Sequence, residues 1–138
     1  MNKQKWDSYY DCWVDAKFYY LEMEYCPGGN LESFIEHQRG GVNEKEAHRV
    51  AFTLLDVLQT LHKANYCHCA IKPDNIVLIR ANDLRNLRVI DFGHSMNVSK
   101  FVMYPNDVRT IETMRYFAPE RFKAQISGED LMKADVWA

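Results

Sequence analysis

The sequence predicts an α+β fold on three observations. Two aromatic, strand-prone runs lie near the start, two helix-patterned stretches fill the middle, and short runs of Ile, Val and Leu follow residue 65. Its 138 residues allow one ordinary domain, because domains usually run to roughly 100–150 residues. With 47% hydrophobic and 26% charged residues the composition is that of a globular chain with a packed core.

Residues 9–15 and 17–25 are rich in aromatic and large apolar side chains and flank a charged turn at Asp15, Ala16 and Lys17, which predicts an antiparallel hairpin. Cys26-Pro27-Gly28-Gly29-Asn30 stops the second strand, since proline removes a backbone donor and paired glycines favour irregular backbone. Asn30 is placed to cap a short amphipathic helix over residues 31–37, in which Leu31, Phe34 and Ile35 share a face. Asn43 with Glu46 three residues on opens a longer helix, and Ala47, Val50, Ala51, Leu54, Leu55, Leu58 and Leu61 form its expected core-facing stripe. Residues 66–68, 76–79 and 87–90 read as three short strands. The polar stretch 93–113 has little periodicity and reads as a loop of the length that is usually functional or mobile.

Seventeen basic and nineteen acidic residues give a net charge of -2, which leaves no electrostatic footprint for nucleic acid or an anionic membrane. The first residues are polar, and every apolar run falls short of the ~18 residues that read as a bilayer span. Four cysteines without a C-x-x-C pair indicate reduced thiols, and with them a cytoplasmic or nuclear setting. The string Cys67-His68-Cys69 lacks a second ligand cluster in sequence, and adjacent side chains on an extended segment point apart, so it is not read as a zinc site.

Four motifs then become legible in order. His68-Cys69-Ala70-Ile71-Lys72-Pro73-Asp74-Asn75 resembles the catalytic loop of protein kinases, Asp91-Phe92-Gly93 their metal-binding segment, and Ala118-Pro119-Glu120 the close of their activation segment. Asp135-Val136-Trp137 resembles the start of the buried helix that supports the loop. The chain is thus similar to a protein kinase domain, truncated: residues 1–25 match the last small-lobe hairpin and 26–138 part of the mainly helical large lobe. No glycine-rich strand pair, third-strand lysine or regulatory-helix glutamate is found in these 138 residues, and a complete kinase domain is roughly twice as long.

The resemblance implies ATP and Mg²⁺ as cofactors and a protein hydroxyl as acceptor. Asn75 and Asp91 are the implied Mg²⁺ ligands, in keeping with the preference of hard cations for carboxylate and amide oxygens. Lys72 corresponds to the lysine that neutralises the transferring phosphoryl group in Ser/Thr-type enzymes, and Thr113 to the threonine that orients their loop. Backbone groups of Glu24 and Cys26 are expected to bond the adenine edge, with Met23 as gatekeeper and Leu78 as apolar floor. Gly28 and Gly29 do not fit a phosphate-binding loop.

Two positions depart from the family. Ala70 occupies the place of the catalytic base, and Cys69 that of an arginine which receives an activation-loop phosphate. The expectation is a kinase-type chain with phosphoryl transfer abolished or strongly impaired; the alternative is a pseudokinase-type binding or regulatory module that engages a true kinase or another partner. Tyr9-Tyr10, Trp13, residues 24–31, Gly93-His94, Ile71 and Lys133-Ala134-Asp135 further resemble the Wee family, which implies a cyclin-dependent kinase as substrate and leaves the acceptor, Ser/Thr or Tyr, open.

Overall fold

The computed structural model describes residues 5–38, 41–100, 114–122 and 126–138. The predicted hairpin is present as β1 (Tyr9–Val14) and β2 (Tyr19–Met23), paired antiparallel with an irregularity between Tyr9 and Asp11. Asp15 builds its turn: Oδ1 accepts the backbone N–H groups of Lys17 (2.7 Å) and Phe18 (2.8 Å), and Oδ2 accepts the Tyr20 hydroxyl at 2.7 Å. These bonds hold the Asp15 carboxyl below its ordinary value. Trp13 sits opposite Tyr20 in the register, and their rings stack at 5.4 Å, the kind of cross-strand pair that stabilises a sheet by up to about 1 kcal/mol.

Two helices come next. α1 (Leu31–His37) starts where Asn30 Oδ1 accepts the Ser33 N–H at 2.9 Å. α2 (Glu44–Lys63) carries the full reciprocal cap, Asn43 Oδ1 on Glu46 N and Glu46 Oε2 on Asn43 N. The expected stripe on α2 needs correction. Val57, absent from it, is completely buried beside Leu58, and Val50, Leu54 and Leu61 pack around the inner face, whereas Ala47, Ala51 and Leu55 lie off that face and are exposed. A run of leucines and alanines is apolar over a wider arc than the single face this helix presents to its neighbours.

The remaining strands are short: β3 (Tyr66–Cys67), β4 (Ile76–Leu78), β5 (Leu87–Val89) and β6 (Met96–Asn97). β4 pairs antiparallel with β5, and β3 with β6. β6 lies inside the stretch read as loop. A two-residue strand has no periodicity to detect, and it exists because Cys67 and Met96 meet across the fold. A last helix, α3 (Gly128–Trp137), begins at Ser127, which exchanges hydrogen bonds with Asp130. α3 is not buried all round: Leu131, Ala134 and Asp135 are, while Val136 and Trp137 are exposed.

Among the described residues the core lies in three clusters, the third being Cys67, Cys69 and Leu131 beneath the loop. Leu31, Phe34, Ile76, Leu78, Leu84 and Leu87 join α1 to the β4–β5 hairpin, and Val57, Leu58, Ile71 and Val89 join α2 to it, with Trp6 packed on the second cluster. The connector before α1 is stitched to β4 by Gly28 N to Leu78 O (2.9 Å) and Leu78 N to Gly29 O (2.8 Å). So close an approach requires glycine: a Cβ at Gly28 would stand 2.4 Å from Leu78 O and 2.6 Å from the Arg80 carbonyl carbon. Gly28→Ala should therefore destabilise the chain by about 1–3 kcal/mol, the usual penalty of overpacking. Urea unfolding of the variant checks this; an unchanged midpoint would show that the connector gives way freely.

Candidate active site

The β4–β5 hairpin is what assembles the site. Ile76 pairs with Val89, so the residues just outside this rung, Asn75 and Ile90, also face each other, and the Ile90 N–H donates to Asn75 O at 2.9 Å. Asp91 is the next residue. The segment before β4 turns tightly through Pro73–Asn75, with proline at the first position, where its missing N–H does no harm, and Asn75 N–H closing on Lys72 O at 3.0 Å.

Asn75 is buried, and its amide nitrogen donates to Ala70 O at 2.9 Å and lies 3.4 Å from Asp91 Oδ2. With the nitrogen so engaged, the amide oxygen is the lone-pair donor left for a cation. Asp91 has left-handed backbone (φ 64°, ψ 68°), uncommon outside Gly, Asn and Asp, and its Oδ1 accepts the Gly93 N–H at 3.3 Å. The exposed Asp91 carboxylate and the adjoining Asn75 amide offer oxygens of the kind a hard divalent cation such as Mg²⁺ prefers.

The loop rests on Asp135, only 3% exposed. One carboxylate oxygen accepts the Cys69 N–H at 2.8 Å; the other accepts the His68 N–H at 2.8 Å and a ring N–H of His62 at 3.1 Å. Consecutive backbone donors are thereby gripped by one side chain, which holds Cys69 in left-handed backbone (φ 65°). The helix carrying Asp135 was expected to support the loop, but the acceptor role of its carboxylate was not spelled out and His62 was missed by sequence reasoning. The available signal was an aspartate followed by Val and Trp, since an aspartate on a buried helix face must find donors.

His68 is completely buried. Its Nε2 faces Ile90 O at 3.1 Å, its Nδ1 accepts the Ala70 N–H at 3.2 Å, and its ring meets Phe92 edge-on at 4.8 Å. One donor and one acceptor define the neutral Nε2–H tautomer. Burial, opposed by the Asp135 carboxylate, holds the imidazole below its ordinary value. A base whose folded pKa is depressed contributes stability that is complete above the unfolded value of about 6.5 and is lost as pH falls from there through the lower folded value. The urea midpoint should fall between about pH 7.5 and 5.5, and His68→Gln should flatten that slope. An acid-independent midpoint, or an equal slope in the variant, contradicts the assignment.

Ala70 is where the sequence places it, beside Asn75, and lines a small cavity with Tyr116, Phe117 and Arg121. Cys69 is buried against Cys67 and Leu131 as part of the core, so its side chain does not stand out to receive a phosphate. Lys72 is half-buried at the entry to the tight turn. Thr113 lies outside the described residues.

On the nucleotide side, the backbone N–H of Glu24 is already given to Ser8 O at 2.8 Å, which leaves its carbonyl for an adenine edge. The Glu24 carboxylate binds Arg88 of β5 at 3.1 Å and anchors the end of the hairpin. Cys26 lies in coil; burial and the nearby Asp7 and Glu24 carboxylates push its thiol up to about 11, so it stays protonated at neutral pH. Leu78 is not at the cleft surface. It is completely buried in the core with Leu31 and Phe34, and strand alternation gives the opposite face to the half-buried Val77.

The hairpin thus brings together a buried loop amide (Asn75) and a strand-end carboxylate (Asp91), with a helix aspartate (Asp135) holding the loop. Residues 5–138 match the family described as "Protein kinase domain", and the chain belongs to that family. It is 35% identical over 117 residues to mitogen-activated protein kinase kinase 7 of Arabidopsis thaliana, covering 84% of this chain and 35% of that protein. Over 121 residues it is 36% identical to the hormonally up-regulated neu tumor-associated kinase of Homo sapiens, covering 87% and 16%. Calcium-dependent protein kinase 5 of Plasmodium berghei is 28% identical over 130 residues, covering 94% and 22%. The chain thus spans about a third or less of the length of these relatives. Among the described residues, no helix is long and apolar enough to cross a membrane.

Proposed function

We propose that this chain provides a protein-kinase site able to bind Mg²⁺ and nucleotide but strongly impaired in phosphoryl transfer. The observation that carries this reading is Ala70 standing beside an otherwise assembled Asn75–Asp91 pair. Asn75 and Asp91 would hold Mg²⁺, which when bound neutralises charge on the phosphate oxygens. Lys72 supplies a second cation beside the transferring group, and Thr113 helps to orient the loop. The Glu24 carbonyl and the Cys26 backbone take the adenine edge, with Val77 rather than Leu78 as the apolar floor.

The acceptor is the hydroxyl of a protein substrate. Alanine neither accepts nor orients its proton, and loss of a positioned base removes ~10²–10⁴-fold in rate, about 3–5 kcal/mol of barrier. The Wee-type expectation, with a cyclin-dependent kinase as partner, finds no support among the plant, human and Plasmodium relatives. A binding-module reading is favoured by one feature: β1 and β2 with their turn expose an aromatic surface that includes Tyr10, Trp13, Phe18 and Tyr19.

The test is thermal unfolding with ATP, with and without Mg²⁺, alongside transfer of labelled γ-phosphate to a generic substrate. A Mg²⁺-dependent rise in Tm that Asp91→Ala abolishes, with transfer at background, is the expected result. Absence of the rise removes the nucleotide reading, and rapid transfer removes the impairment.

A further inference from the structure

Beneath the loop, where Asp135 holds the His68 and Cys69 N–H groups, donors from three separate elements converge. His62 comes from the last turn of α2, Cys67 from β3 and Asp135 from α3. A ring nitrogen of His62, the Cys67 sulfur and an Asp135 carboxylate oxygen all lie within 4.8 Å of one another. We propose that these three side chains form a binding site for a divalent transition metal of the zinc class, tying α2, β3 and α3 together under the loop.

The donor chemistry selects the metal. Thiolate, imidazole and carboxylate together suit Zn²⁺, whereas Mg²⁺ and Ca²⁺ take oxygen donors alone. The geometry is close to what binding requires. Zinc bonds of about 2.0–2.3 Å at tetrahedral angles place neighbouring donor atoms roughly 3.3–3.7 Å apart. His62 Nε2 and Asp135 Oδ2 are already at 3.1 Å, so the metal replaces one hydrogen bond with two short bonds.

Charge also closes: one thiolate and one carboxylate neutralise a dication, which matters where Cys67 is 0% and Asp135 3% exposed. The Asp135 carboxylate is pre-oriented by the His68 and Cys69 N–H groups, the type of supporting contact that ligating carboxylates receive. The half-buried His62 leaves an entry path for the ion and for a water as the fourth ligand. Taken alone, Cys67-His68-Cys69 offers too few ligands; the tertiary fold adds His62 and Asp135 and takes His68 away to Ile90.

The site is independent of the phosphoryl-transfer reading, and so is its test. The purified chain, stripped with a chelator, is titrated with Co²⁺ as a spectroscopic stand-in for Zn²⁺. One equivalent should give the intense visible bands of four-coordinate cobalt together with thiolate-to-metal charge transfer, both displaced by Zn²⁺, and Zn²⁺ should raise the unfolding midpoint. Cys67→Ser should remove the charge-transfer band. His62→Gln, at a partly exposed position that tolerates the change, should weaken binding at least about tenfold. No saturable binding, or the same affinity in His62→Gln, overturns the proposal. So does a charge-transfer band that disappears in Cys12→Ser or Cys26→Ser, which would place the metal on the thiols outside the core.

Discussion

Asp135→Ala is expected to destabilise the metal-free chain by about 3–5 kcal/mol, a large effect for the truncation of one side chain. The reason is the asymmetry between making and breaking buried polar contacts. The carboxylate serves the backbone N–H groups of His68 and Cys69 and the His62 ring, and its removal strands two buried backbone donors at once. Left-handed Cys69 would also lose the restraint that holds it. Asp135→Asn should cost less, because the amide keeps one acceptor oxygen and its shape. Denaturant unfolding measures both; an alanine variant within about 1 kcal/mol of the parent would mean that the loop is held by its own packing.

The second large effect concerns rate. In a polypeptide that also carries a glycine-rich loop and a third-strand lysine, Ala70→Asp is expected to raise phosphoryl transfer by ~10²–10⁴-fold. The backbone at this position is already in place: the Ala70 N–H bonds His68 and its carbonyl bonds Asn75, so an introduced carboxylate would not have to build its own support. In the 138-residue chain by itself the same substitution should leave transfer at background. In the proposed function Lys72, Asn75 and Asp91 would address only the transferring phosphoryl and its metal, leaving the α- and β-phosphates without a clamp from these residues. Turnover regained by the single variant in the short chain would refute that division of labour, and no gain in the longer polypeptide would refute the role assigned to position 70.

Much of the chemistry was legible because it is local. Asn75 and Asp91 announce themselves within short motif strings, and the Asn43–Glu46 cap and the turn at Asp15 depend on neighbours two to five positions apart. Leu78 was assigned to the cleft because apolar identity was visible and strand parity was not; a one-residue shift exchanges core face for open face, and the structure gives the open face to Val77. On α2 the apolar arc was visible, but which part of it meets neighbours depends on the strands and helix packed there, and that choice buried Val57 and exposed Leu55. His62 was silent in sequence because its partner is 73 residues away.

By itself, then, the sequence determined the family and most of the order of elements, and it placed Ala70, Asn75 and Asp91 at the motif positions on which the proposed function rests. Each of these rests on residue type or on spacing along a few positions. Only the tertiary structure decided which backbone donors the Asp135 carboxylate holds, that His68 is a neutral buried strut and that His62, Cys67 and Asp135 meet. Hydrogen bonds and metal ligands are set by distances in space, and a donor at 2.8 Å leaves no mark on the sequence when its acceptor lies some 66 residues away.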